Sequence, residues 1–261
     1  TSFNGNIDYQ RFLNRDRTSN ITLSYLFTTD PTTTESRNIY DPLPAGIPLT
    51  LNDLHSNSKM RGTEHTFQAD YTTPLSKNQT LNAGAKFIGR RNTSDSKFYN
   101  IINGKEVFDS NNSVNYKNTQ SILASYIEYK LTLGKFSAKA GARYEHTWEN
   151  VEFILGKGDD FKKNYGNLVP SASFTYNIGA AVNVGVNYNM RISRPGISFL
   201  NPYIDRSTPT VLTYGNPNLD VEESHKVNLV FNAFTPKFMI NLTLGEAFAN
   251  NQIEQYSFMD A

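Results

Sequence analysis

The stretch "AVNVGVNYNMRISRP", residues 181–195, places Val182, Val184, Val186, Tyr188, Met190 and Ile192 at every second position, with Asn183, Gly185, Asn187, Asn189 and Arg191 between them. Alternation at period two marks a β-strand whose two faces meet different surroundings, because successive side chains point to opposite sides. One face is apolar and the other is wet. A protein core and a lipid bilayer would both accept the apolar face, so the choice between them rests on the rest of the chain.

The same pattern recurs. "ITLSYLF" has Ile21, Leu23, Tyr25 and Phe27 in phase, and "TLNAGAKFIG" has Leu81, Ala83, Ala85 and Phe87. In "KFSAKAGARYEHTWEN", Phe136, Ala138, Ala140, Ala142, Tyr144, His146 and Trp148 alternate with Lys135, Ser137, Lys139, Gly141, Arg143, Glu145, Thr147 and Glu149. The second set could not enter a core without leaving unpaired charges, each costing several kcal/mol.

Period two predicts strands at about 2–13, 18–29, 61–73, 79–91, 118–132, 135–151, 163–177, 181–193, 223–235 and 237–249, with an eleventh beginning near 252. The links alternate in length. "NRDR", "PLSKN", "LGK", "NIGAA" and "TPK" are short, whereas about 30–60, 92–117, 152–162 and 194–222 are long. An up-and-down membrane barrel has this pattern because its turns gather at one end and its loops at the other. The long links also carry residues that cannot continue a central strand, Pro42, Pro44 and Pro48 in one and Pro195, Pro202 and Pro209 in another. Inside 92–117, Asn103-Gly104 between β-rich runs predicts a small type I′ hairpin standing above the barrel. Tyr71, Phe87, Tyr129, Phe136, Tyr176 and Tyr188 fall near strand ends, where a membrane barrel carries aromatic girdles.

The bulk numbers agree. The chain of 261 residues carries 25 basic and 24 acidic side chains, a balance without the cationic footprint that nucleic-acid binding needs. Cysteine is absent, which excludes a disulfide framework, thiolate metal sites and a thiol nucleophile. A mean hydropathy of −0.51 and the lack of a long apolar run exclude a transmembrane helix, but a transmembrane strand needs only about 9–11 residues, half of them apolar. No leader opens the chain at "TSFNGNIDYQ", and the expectation is a single domain over residues 1–261 that forms a segment of something longer.

Little in the sequence points to bond-making chemistry. The histidines at 55, 65, 146 and 225 have no metal-ligand spacing and read as surface or structural residues, His146 as a half-solvated interfacial one. No nucleophile-elbow, phosphate-loop or zinc-protease motif is present. Asp159-Asp160 and Glu222-Glu223 pair carboxylates, and "GKGDD" and "DSNN" could hold calcium weakly, but solvated loop polarity is the favoured reading. The expectation is therefore no catalytic, cofactor-binding or metal residue and no cofactor.

The last third carries a likeness. "YNMRISRPGISFLNPYI" followed by "YGNPNLDVEESHKVNLVF" resembles the barrel of TonB-dependent receptor-like outer-membrane proteins, which show an Arg-x-x-Arg-Pro element, Leu-Asn-Pro, and Gly-Asn-Pro-Asn-Leu-x-Pro-Glu entering the next strand. The matching residues are Arg191, Arg194, Pro195, Leu200, Asn201, Pro202, Gly215, Asn216, Pro217, Asn218, Leu219 and Glu222, with Val221 in place of the usual proline. "LHSNSKMRGTEHTFQADYTTPLSKNQTLNAGAKF" and "LGKFSAKAGARYEH…NLVPSASFTYNI" are similar to the same family's hairpins. The resemblance implies that these motif residues are structural and that the chain is an internal barrel segment without the family's plug domain.

The fold expected is all-β, an antiparallel up-and-down meander of about ten strands, forming a partial or small transmembrane barrel with long loops at one end. Closure of so few strands from a wall built for about 22 could give an open sheet, an edge-paired oligomer, or a closed ten-stranded barrel, the last expected if the segment folds alone. The function implied is the wall of a Gram-negative outer-membrane receptor that binds and imports an unknown solute. Its partners would be outer-membrane lipid, the parent's plug and an energy-transducing protein. Lys135, Lys139, Arg143, Asn183, Asn187, Asn189 and Arg191 would line the lumen. Two other classes compete: a soluble or surface β-sheet adhesin that binds glycans, and a membrane-barrel enzyme that would have to combine Ser193 or Ser198 with His225.

Overall fold

The computed structural model describes residues 2–40, 52–156, 158–201, 205–208 and 211–257. Ten strands run antiparallel in one sheet: β1 (Phe3–Phe12), β2 (Asn20–Asn38), β3 (Asp53–Ser76), β4 (Gln79–Ile102), β5 (Lys105–Leu133), β6 (Phe136–Leu155), β7 (Phe161–Asn177), β8 (Val182–Ser193), β11 (Glu222–Phe234) and β12 (Met239–Asn250). Between β8 and β11 lie a single helical turn, α1 (Ile197–Leu200), and a separate hairpin of β9 (Asp205–Thr208) and β10 (Val211–Thr213). The order is a meander with every neighbour adjacent in sequence, apart from that insertion.

Register divides the side chains as the alternation requires. Val186 of β8 stands opposite Phe174 of β7 and Leu229 of β11, and Phe136 opposite Tyr176. Residues directly opposite share a face, so one side of the sheet carries Phe87, Leu123, Phe136, Phe174, Val186 and Leu229, all exposed. All six aromatics singled out from the sequence lie on this outward face, and Phe136 packs on Tyr176 with ring centroids 4.7 Å apart. No helix among the described residues is long and apolar enough to cross a membrane, which leaves open a crossing by strands with an apolar outward face.

All the short links lie at one end. At Gly134-Lys135 the glycine has φ +56°, which suits the first position of a II′ turn; in the first link Asn14 accepts from the N–H groups of Thr18 and Ser19, both at 3.0 Å. At the other end the strands run further than period two indicates. β4 and β5 have 24 and 29 residues and meet at Asn103-Gly104, whose φ values of +52° and +74° make the I′ turn. The expected hairpin is therefore present, but as the tip of two continuous strands rather than a separate structure in a loop. The ladder persists because hydrogen bonding between strands needs no apolar side chains, so "RNTSDSK" stays extended after its hydrophobic pattern has ended. Residues 252–257 form no eleventh strand, and 258–261 lie outside the described residues, as does the proline-rich part of the first long link at 41–51.

The sheet is open. Among the described residues β1 pairs only with β2 and β12 only with β11, so the closed ten-stranded barrel does not form. Closing ten strands demands more curvature and a different stagger than a register belonging to a wider wall.

Candidate functional site: the inner face beneath the long loops

Most of the buried residues of the strands lie on the inner face, Met190 and Ala233 being exceptions on the outward one. Ile122 is 3 % exposed, Ala124 1 %, and Thr147 and Val151 0 %, all on the polar side of β5 and β6. Over this part of the inner face Arg194 bonds to Thr147 and Glu145, and in the described parts of the chain between β8 and β11 Leu200 and Val221 are buried completely or nearly so. The ladder between β7 and β8 ends at Ser171–Asn189, beside Pro170, which has no N–H to donate.

Arg194 holds the segment down. Its Nε donates to Thr147 Oγ1 at 2.9 Å and its Nη2 to Glu145 Oε2 at 2.6 Å, while Arg143 Nε stands 2.7 Å from Glu145 Oε1. Glu145 thus sits between two guanidinium groups, each fixed in planar geometry. The rest of the family motif builds the segment itself. Gly215 N–H donates to Asn201 O at 2.7 Å and Asn216 N–H to Phe199 O at 2.6 Å, pinning the re-entering chain against α1. A Cβ at Gly215 would lie 2.4 Å from Phe199 O, so the close approach of two backbones explains this glycine. Asn216 Oδ1 accepts from Asn218 N–H at 2.9 Å, and Leu219 N–H donates to Asn216 O at 3.2 Å, forming the turn into β11. Glu222 accepts from Ser224 Oγ at 3.4 Å and from Ile253 N–H at 3.3 Å. Pro195 is buried, Arg191 is exposed on β8, and Pro202 lies outside the described residues. Val221 is 2 % exposed, so the departure from proline supplies a buried apolar side chain.

Toward β2 the inner face continues as a polar lattice. Arg90 Nε donates to Glu64 Oε2 at 2.5 Å and its Nη1 to Gln120 Oε1 at 3.2 Å; Thr66 Oγ1 donates to Glu64 Oε1 at 3.1 Å. Beside them Thr28, Asp30, Gly62, Glu64, Arg90 and Asn92 line a recess of about 360 Å³. Nearer the short turns Tyr126 Oη donates to Asp70, Asn82 to Glu128 at 3.1 Å, and Lys139 lies 3.1 Å from Glu128.

The residues expected in the lumen distribute as follows. Lys139, Arg143, Asn183, Asn187, Asn189 and Arg191 share the inner face, and Asn183 accepts from Asn232 at 2.9 Å. Lys135 instead sits in the Gly134-Lys135 turn, where its Nζ donates to Ile178 O at 3.2 Å. The sequence reading missed Glu64, Arg90 and the Arg194–Glu145 pair as a contact, because partners 26 and 49 residues apart leave no local signal. It also took the inner face as wholly polar, whereas Ile88 and Ile122 stand opposite each other there.

Ser193 and His225 occupy opposite faces of the sheet, Ser193 opposite Glu222 and His225 opposite Met190, so they cannot act together. His225 Nδ1 instead meets Tyr188 Oη at 2.9 Å, and His65 Nδ1 meets Tyr25 Oη at 3.0 Å, both on the outward face. His146 is half-buried there against Trp148, ring centroids 4.3 Å apart. In "DSNN", Asp109 accepts from the N–H groups of Asn111 and Asn112 and from the Asn100 and Asn112 amides, shaping a bulge. Asp160 of "GKGDD" accepts from Phe153 N–H at 2.7 Å.

Residues 10–261 match the model of the outer membrane protein beta-barrel family. The chain belongs to that family. Its place is the outer membrane. Among curated proteins none matches it in sequence. Solved structures similar to it are transporter barrels. The unliganded ferric citrate transporter FecA superposes with a TM-score of 0.69 at 13 % identity, covering 97 % of this chain and 35 % of that one. The ferric-catecholate import receptor Fiu from E. coli gives 0.68 at 13 % identity, covering 98 % and 41 %. The copper transporter OprC gives 0.66 at 8 % identity, covering 95 % and 38 %. The chain thus spans little more than a third of the length of these proteins, and has the fold of part of an outer-membrane transporter wall.

Proposed function

We propose that this chain is part of the wall of a TonB-dependent receptor that binds a solute at its long-loop end and imports it, with energy delivered from the inner membrane through a plug. The observation that carries this reading is the inner face itself. A charged, hydrogen-bonded lattice lines it from Asp30 to Arg194, and Arg194 ties the chain that follows β8 down onto it at the long-loop end. An adhesin whose binding groups were its loops would have no need to order a polar inner wall beneath an exposed apolar exterior. The recess at Asp30, Glu64 and Arg90 offers both acceptors and donors to a polar solute. No side chain of this wall is assigned bond-making chemistry.

The test uses the full-length protein that carries this chain. Solute uptake by cells expressing it should depend on the inner-membrane proton-motive force and fall when Arg90→Gln removes the guanidinium from the recess. A full-length protein that, in lipid vesicles and in cells, binds no solute and conducts none would overturn the reading.

A further inference from the structure

Beyond the lipid band β2 to β5 continue together as a blade at the long-loop end. Phe67 lies within the apolar band of β3, and His55 of the same strand lies about 40 Å further along it at about 3.3 Å per residue. Even on a strand tilted by about 45° that height exceeds half of a hydrocarbon core about 30 Å thick, so His55 stands in water outside the membrane.

Two elements reach the His55 ring from either side. Its Nε2 lies 3.0 Å from Glu35 Oε1, near the end of β2, in hydrogen-bond alignment. Its Nδ1 lies 2.9 Å from Glu106 Oε1, at the start of β5, close but without that alignment. Tyr99 of β4 is directly opposite His55 and stacks on it with ring centroids 5.8 Å apart, and Phe108 of β5 packs edge-on against Tyr99 at 5.6 Å. The other charged groups of this face, among the described residues, have their own places. Arg37 of β2 is in register with His55; Asp53, two residues away on β3, accepts from Tyr40 N–H at 3.0 Å; Lys97 of β4 lies 3.6 Å from Asp95.

A neutral imidazole has one N–H donor and one lone pair, and the imidazolium has two donors. The neutral ring can therefore bond one of the two carboxylates only, and its lone pair then faces the other at hydrogen-bond distance, which is repulsive. The cation satisfies both. Nε2 is the aligned nitrogen, so the proton that leaves is the one on Nδ1, and the contact that opens is the one to Glu106. The β4–β5 hairpin tip then loses its tie to β3, while the end of β2 keeps its own.

We infer that His55 is a pH-operated clamp on the outer rim: charged, it ties both the end of β2 and the tip of the β4–β5 hairpin to β3, and neutral, it holds Glu35 and releases the tip. The inference stands on the geometry of the blade and not on the import of any solute.

The experiment follows amide exchange by mass spectrometry on the full-length protein in nanodiscs, from about pH 5.5 to about pH 8, a span across which imidazole changes charge and carboxylates stay ionised. Rates are corrected for intrinsic exchange at each pH. Protection of residues 99–108 should fall about threefold as pH rises, the scale of an ion pair with exposed carboxylates, while residues 30–38 and β6 hold steady. His55→Gln should give the low protection at every pH, and Glu106→Gln should remove the pH dependence of the tip, heat-modifiable gel mobility reporting that the barrel is intact. Glu35→Gln should leave the tip responsive to pH. Protection of 99–108 that does not change with pH in the wild-type protein, or a pH dependence that survives in folded His55→Gln, would overturn the inference. So would loosening confined to 30–38.

Discussion

Val186 and Asn187 are neighbours in β8 that face different solvents. Val186 lies among Phe174 and Leu229 and is 45 % exposed, which in a membrane is exposure to lipid. Val186→Arg should cost about 2–4 kcal/mol in folding into lipid vesicles, read by denaturant titration, because a charge near the bilayer midplane has neither water nor a partner. Asn187→Arg points into the lumen and should cost well under about 1 kcal/mol. A spin label at 186 should show high accessibility to oxygen and low accessibility to a water-soluble nickel reagent; protection from both would mean a packed protein core. At Arg194 the expected effect is local. Arg194→Ala leaves Glu145 with Arg143 but removes the donors to Thr147 and Glu145 Oε2, a loss of about 1–3 kcal/mol. Amide exchange should quicken at Leu200 and 215–221 and stay slow in β6. Arg194→Lys should recover only part, since one ammonium cannot reproduce the planar fork.

Two elements at the long-loop end invite their own tests. The segment 194–221 depends on Gly215, where a Cβ would strike Phe199 O, so Gly215→Ala should expose the segment to limited proteolysis. Gly104 is a useful contrast, because a Cβ there meets nothing within 4 Å and only its positive φ is strained. Gly104→Ala should therefore cost no more than about 1–2 kcal/mol and leave the strands paired. The bulge after the Asn103-Gly104 hairpin is pH-sensitive in a direction that follows from its bonds. Partial burial works to raise the Asp109 carboxyl, but the donors from Asn100, Asn112 and the backbone of Asn111 and Asn112 outweigh it, and its pKa is lowered. A lowered pKa in the folded state stabilises the bulge above the ordinary carboxylate range, and that stability is lost as pH falls through the folded value. Amide exchange at 111 and 112 should stay slow at neutral pH, quicken in acid, and be fast at all pH in Asp109→Ala.

At the scale of the molecule, the open edges dominate. Among the described residues β1 and β12 each leave one side of their backbone without a ladder, and every residue of β12 is exposed. Unpaired N–H and C=O groups in lipid are costly enough that no stable membrane sheet keeps them bare. Expressed alone, this chain should require detergent and associate through its edges, visible as concentration-dependent mass in analytical ultracentrifugation. A detergent-free monomer would contradict both the membrane placement of the outward face and the reading of the sheet as part of a wider wall.

How much of this was legible differs by residue. Val182 to Ile192, Phe136 to Trp148 and Leu81 to Phe87 announced their strands and faces, because period two is a local property and a lipid-facing wall repeats it without interruption. The turn at Asn103-Gly104 was equally readable, since turn type follows from two residues, and "LGK" was readable as a short link. The strand extensions at 92–102 and 105–117 were not, because a ladder can continue through polar residues that carry no hydrophobic phase. Nor were Ile88 and Ile122 on the inner face, or Glu64 with Arg90. The motif around Arg194 and Gly215 was visible as a pattern, but its work was not: Glu145 and Thr147 lie almost 50 residues away and meet Arg194 only because β6, β7 and β8 bring them there. The sequence by itself determined the period-two strands and their two faces, which alternation along one strand sets, while the alternation of short and long links along the whole chain favoured lipid for the apolar face. Only the tertiary structure decided which inner-face charges meet and where the chain after β8 is tied down, because these depend on register between strands far apart in the chain.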